Sequence, residues 1–194
     1  MKLRLLPQHF LLSQEHCYLN PSHECYFLGA YECAHDIGLR NRVLAFKGNH
    51  AEAIDEFAQM LRSTLLDVVE PDATFIPMPS SPSTHRALQT LLKKLGVADC
   101  REMLLLKDGH FRAHLGHRLP PRDLAEYIVV HNARRNPLPR SIVLVDDVLA
   151  TGSHFRAAKR VLEGIFPGIS VVGLFLSRAC LQSRRAECKR CCVN

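Results

Sequence analysis

From position 51 onward the chain switches repeatedly between two hydrophobic periods. Ala53, Ile54, Phe57, Met60, Leu61 and Leu65 recur three and four residues apart, with Glu52, Asp55, Glu56 and Arg62 between them, which predicts an amphipathic helix. Pro71 and Asp72 break that period, and 74–78 is a short apolar run read as a buried strand. Residues 79–84 (PSSPST) form a loop by composition. Residues 86–95 carry Ala87, Leu88, Leu91, Leu92 and Leu95 on one helical face and stop at Gly96. A second apolar strand is predicted at 103–106, followed by a polar, His- and Arg-rich stretch at 107–121 read as a mobile loop or hood. Residues 121–130 predict a helix with Pro121 in its first turn. Residues 142–145 do not alternate and so predict a strand buried on both faces. A helix at 153–165, with Phe155, Ala158, Val161, Leu162 and Ile165 inward, ends at Pro167 and Gly168, and 170–176 is the last strand. Before position 51 the pattern is weaker: 24–31 reads as a strand and 38–47 as a short helix or a second strand.

This order of strands and helices predicts an α/β fold, a mainly parallel sheet flanked by helices with a small variable hood. Ligands of such sheets sit at the carboxyl ends of the strands. The expected division is a hood or accessory segment at 1–50, the core at 51–180 and a basic, Cys-rich tail at 181–194.

Composition narrows the function classes. A net charge of +6 and a pI near 9.0 favour anionic partners, whether phosphates, nucleotides or nucleic acid. The charge is diffuse except in the tail (Arg178, Arg184, Arg185, Lys189, Arg190), the expected route to nucleic acid. No run approaches the roughly 20 apolar residues of a membrane helix. Residues 1–12 are interrupted by Pro7, Gln8 and His9 and lack a small-residue cleavage site, so the expectation is a cytoplasmic protein with no membrane partner. Ser-hydrolase and P-loop chemistry lack their Gly-rich signatures, and the absence of Trp and of adjacent aromatics disfavours an RNA-stacking sheet.

The chemistry concentrates in residues 142–154 (IVLVDDVLATGSH), where four apolar residues deliver Asp146 and Asp147 to a strand end. A turn with Thr151, Gly152 and Ser153 then opens a helix, whose first N–H groups and dipole favour an anion. Gly152 permits close backbone approach, and the hydroxyls add donors. The carboxylates suit vicinal sugar hydroxyls or a magnesium ion held through water. The plainer reading is a pair of strand-end acids in an unrelated α/β fold. It is disfavoured because adjacent carboxylates repel each other unless paired or bound to something.

Residues 143–153 (VLVDDVLATGS) resemble the fingerprint with which type I phosphoribosyltransferases bind phosphoribosyl diphosphate (PRPP). The resemblance implies that Asp146 and Asp147 meet the ribose hydroxyls and that Ala150, Thr151, Gly152, Ser153 and His154 wrap the 5-phosphate. It also implies a pyrophosphate loop after the first core strand, a place occupied by Ser80, Ser81, Ser83, Thr84 and Arg86. The wider layout, over 26–180, resembles the ComF-type amidophosphoribosyltransferase-like proteins linked to competence and DNA uptake. That likeness is carried by Tyr31, Phe46-Lys47-Gly48, the stretch FIPMP at 75–79, and LLLK at 104–107. The chain departs from the ComF pattern in lacking an initial four-cysteine zinc module and an Arg-Gly-Phe-Asn stretch, and Ala150 stands where a second Thr is usual.

The function so implied is transfer of a phosphoribosyl group from magnesium-bound PRPP to a nitrogen acceptor, with release of pyrophosphate. The alternative is a non-catalytic PRPP- or nucleotide-binding protein, or a nucleic-acid-associated accessory factor in DNA uptake, processing or defence. Self-association or a protein complex is left open. Lys107, Arg112, His114, His117 and Arg118 are read as a solvated loop rather than catalytic groups. Cys188, Cys191 and Cys192 supply half of a zinc site with no second half of the same spacing, so a reduced, disordered tail is expected over zinc.

Overall fold

Two parallel strands that do not alternate, one ending in Pro77 and one in Leu149, lie side by side at the centre of the molecule. The computed structural model describes residues 4–5, 24–31, 37–62, 65, 69–107 and 119–179. Their elements are β1 (Arg4–Leu5), β2 (Cys25–Tyr31), α1 (Ile37–Lys47), α2 (Ala51–Arg62), β3 (Thr74–Pro77), α3 (Pro82–Leu95) and β4 (Asp99–Cys100). There follow β5 (Leu104–Leu106), α4 (Pro121–Ala125), β6 (Ile128–Val130), a 3-10 turn (Asn132–Arg134), β7 (Ser141–Leu149), α5 (Ser153–Ile165) and β8 (Ser170–Ala179). The main sheet has the order β1-β2-β8-β7-β3-β4. Its five strands from β2 to β4 are parallel, and β1 is antiparallel at the edge.

The sheet separates two apolar layers. Ile142 and Leu144 of β7 pack with Phe155, Ala158 and Leu162 of α5. Val143 and Val145 pack on the opposite face with Val43 and Phe46 of α1, Phe57 of α2 and Leu88 and Leu91 of α3. This burial on both faces explains the unbroken apolar runs of the central strands. In α3, Pro82 occupies the first turn, the Ser81 hydroxyl accepts the Thr84 N–H, and Gly96 at φ 72° closes the last turn onto the Lys93 carbonyl.

Several elements differ from expectation. The helix expected at 121–130 ends at Ala125, and Ile128–Val130 is a strand. It pairs antiparallel with β5, with Leu105 opposite Val129. Ile128 and Val130 are buried and Val129 is exposed, so the β-branched run follows period two rather than the helical period. The strand expected at 103–106 therefore belongs to this small separate sheet. The main sheet is completed by the two-residue β4, anchored where the Thr74 hydroxyl donates to Asp99 Oδ2 at 2.6 Å. Residues 38–47 are helical, and 24–31 hold a strand parallel to β8. The boundary expected at 50 thus falls inside the packed unit, because β2 and α1 contribute Leu28, Leu39, Val43 and Phe46 to its core. The tail at 181–194 and most of the 107–121 stretch lie outside the described residues.

Candidate functional site

The strand order creates a switch point. From β3 the chain passes through α3 to β4 on one side, and from β7 it passes through α5 to β8 on the other. The two loops leave the carboxyl ends of neighbouring strands, and their helices pack on opposite faces of the sheet. A crevice between diverging loops is where open α/β sheets bind ligands. The Met78 N–H donates to the Val145 carbonyl at 2.8 Å, so the β3 exit runs directly beside the acid pair.

Asp146 and Asp147 lie within β7 rather than beyond it, since the strand pairs with β8 as far as Leu149 opposite Arg178. Strand alternation then sends neighbouring side chains to opposite faces. Asp146 lines a small, half-open crevice together with Ala150, Thr151, Gly152, Ser153 and His154. Phe175 of β8 forms its apolar wall. Asp147, only 6% exposed, is turned toward α1, where its Oδ2 lies 2.7 Å from Lys47 Nζ. The two acids are thus not a single paired cradle, and the structure brings only Asp146 together with the 150–154 loop.

The loop is shaped for close approach. Gly152 sits at φ 76° as the N-cap of α5, a conformation that costs little only without a Cβ. The Thr151 and Ser153 hydroxyls are 3.0 Å apart, and the Ser153 N–H points at Thr151 Oγ1 at 3.4 Å. Ala150 is exposed and brings no acid, base or donor side chain to the loop. Asp146 is the unusual group. Burial pushes its carboxyl up to about 8, and the neighbouring Asp147 charge adds to the rise. The Asp147 N–H, which donates to Asp146 Oδ1 at 2.9 Å, and the Lys47 charge oppose it. At neutral pH Asp146 therefore carries its proton most of the time. A neutral carboxyl beside the helix start donates a hydrogen bond and does not repel an incoming phosphate.

The β3–α3 loop is placed differently. None of Ser80, Ser81, Ser83, Thr84 and Arg86 lines the crevice beside Asp146. The Ser81 hydroxyl lies 2.9 Å from that of Thr84 and 3.3 Å from that of Ser83, so these groups largely satisfy one another in the cap of α3. Ser80 Oγ is buried without a hydrogen-bond partner. Arg86 is exposed on α3. Sequence reading missed Lys47 as a site residue, although Phe46-Lys47-Gly48 stood out as a segment. Nothing in the sequence shows that α1 delivers it to Asp147.

Among the described residues, Cys25 is a buried cysteine and Cys100 an exposed one, neither in a disulfide, and no group of three or more His, Cys, Asp or Glu could hold a metal. Arg178, expected to belong to the basic tail, is instead buried in β8 at 2% exposure and is not offered to a nucleic acid. Cys180, the tail cysteines, Arg184, Arg185, Lys189 and Arg190, and Arg112, His114, His117 and Arg118 lie outside the described residues, while Lys107 is described and exposed. No described helix is long and apolar enough to cross a membrane.

No family model matches the chain, and no curated protein matches it. A solved structure, xanthine-guanine-hypoxanthine phosphoribosyltransferase from Helicobacter pylori, is similar to it over 68% of this chain and 86% of that one, at 10% identity and a TM-score of 0.44.

Proposed function

We propose that the chain binds PRPP and transfers its phosphoribosyl group to a nitrogen acceptor. The acceptor nitrogen forms a bond to C1 of the ribose, the C1–O bond breaks, and pyrophosphate leaves with the electron pair. The acceptor's proton passes to solvent or to a nearby base. One observation carries this reading: a carboxyl and a Thr-Gly-Ser bend at a helix start share one crevice at the sheet's switch point. Thr151, Gly152, Ser153 and His154 hold the 5-phosphate at the start of α5. Asp146 meets a ribose hydroxyl, and Asp147 approaches the sugar from the other side of β7. Ser80, with its buried unpartnered hydroxyl, and the start of α3 receive the diphosphate. The protein's contribution is positioning and electrostatic stabilisation of a cationic sugar and a departing anion.

A magnesium ion carried by the diphosphate fits Asp147, the charged acid of the two. Asp147 Oδ2 is a buried carboxylate oxygen that has an ion-pair neighbour but no directed hydrogen bond. Asp147 would hold the ion through water, and the ion would offset diphosphate charge. On this reading the protein is a cytoplasmic relative of the ComF-type proteins. Pyrophosphate release from magnesium-PRPP, measured against a panel of bases, ammonia and glutamine, tests it. Turnover with one acceptor class is expected, and no release from the folded protein with any of them would refute the transfer reaction.

A further inference from the structure

We infer that Lys47 is a further binding residue of this site, its ammonium bridging Asp147 to the diphosphate end of the ligand. The inference rests on the phosphosugar reading above and assigns a residue that the fingerprint does not contain.

Lys47 is the last residue of α1, and the chain turns immediately after it through Gly48 and Asn49 at φ 63°. The turn is fixed by backbone bonds from Gly48 to Leu44, Asn49 to Phe46 and His50 to Ala45. Phe46, next to it, is fully buried and packs edge-on against Phe57 at 5.6 Å. The root of the lysine is therefore anchored, and its four-carbon stem reaches the carboxyl end of β7. The two partners differ in exposure: the Lys47 side chain is 39% exposed and that of Asp147 is 8%. An ammonium has three donors, so contact with one carboxylate oxygen leaves two for another anion.

The contact itself is also incomplete. At 2.7 Å the charges are paired, but the approach does not meet the direction of a hydrogen bond, and Asp147 Oδ2 is left without one. A purely structural ion pair buried on one side gains most of its stabilisation from well-directed bonds. This geometry instead suits a cation shared between a fixed acid and an incoming anion. Because Asp147 points to the α1 face while Asp146 faces the 150–154 loop, Lys47 stands on the far side of β7 from the 5-phosphate bend. It should therefore act on the diphosphate and leave the 5-phosphate almost untouched.

Calorimetric titration of the wild type, Lys47→Met and Lys47→Arg with magnesium-PRPP, and separately with ribose 5-phosphate, tests this. Lys47→Met should weaken PRPP binding by tenfold or more while ribose 5-phosphate stays within twofold, and Lys47→Arg should recover most of the loss. Equal weakening of both ligands, or unchanged PRPP affinity, overturns the role given to Lys47. A wild type that binds neither ligand overturns the phosphosugar reading, and this inference with it. Circular dichroism checks the fold. If Lys47→Met does not fold, Lys47→Gln supplies the same two-ligand comparison.

Discussion

The raised Asp146 carboxyl makes a prediction about stability that needs no ligand. The group moves from an ordinary 3.8 to about 8 on folding, a gap of about four pH units. A carboxyl raised on folding contributes stability that is fully present below its unfolded value and is lost as pH rises through the folded one. The relevant window therefore runs from about pH 4 to about pH 8. At about 1.36 kcal/mol per pH unit the loss is at most about 5–6 kcal/mol. Asp146 is only partly buried at the crevice, and water reaching it reduces the effect, so about 2–3 kcal/mol is expected. Asp146→Asn keeps the shape and removes the titration. Urea unfolding of both proteins from pH 4.5 to 9 should give similar stabilities at the acid end, with the variant's advantage growing as pH rises toward about 8 and levelling off above it. Taking the difference cancels the titrating groups that do not interact with Asp146, leaving Asp146 and its neighbour Asp147. A difference that stays constant across the range would show that Asp146 is ionised in the folded protein and would refute the reasoning.

Three further outcomes follow from named contacts. Gly152→Ala places a Cβ on a residue at φ 76° and should cost about 1–2 kcal/mol in urea unfolding while abolishing phosphate affinity. Gly173→Ala sets its Cβ 2.6 Å from Phe175 and 3.0 Å from Phe155, and should cost about 1–3 kcal/mol and disturb the Phe175 wall of the crevice. Asp99→Ala leaves the buried Arg101 guanidinium without the carboxylate it meets at 2.6 and 2.8 Å, and should cost about 2–3 kcal/mol by chemical denaturation. Because hydrogen bonding from Arg101 holds the Asp99 carboxyl below its usual range, the wild-type contribution is present above about pH 4 and fades below it.

The parts of the fold that were legible in the sequence are those in which one residue pattern has one physical reading. The stripes of 53–61 and 87–92, and the unbroken runs of 74–78 and 142–145, each fit one element type and one degree of burial. The β6 strand was missed because Pro121 opens a real helical turn and Ile128, Val129 and Val130 then change period within the same apolar stretch. The β4 strand has only Asp99 and Cys100, and is set by the Thr74–Asp99 hydrogen bond rather than by any apolar pattern. For the site, Thr151, Gly152 and Ser153 are contiguous and their geometry is local, so the sequence carries it. The fate of Asp147 is not local. It depends on how far β7 continues its pairing with β8, which fixes the face each acid occupies, and on α1 bringing Lys47 across about a hundred positions of chain.

Calorimetric titration with magnesium-PRPP, run on the wild type and on the doubly substituted Asp146→Asn, Asp147→Asn protein, tests the central claim most directly. Saturable one-to-one binding by the wild type is expected, with its loss in a variant of unchanged circular dichroism. Absence of binding by the folded wild type, or full affinity in the variant, would contradict the assignment of the β7 crevice as a phosphosugar site.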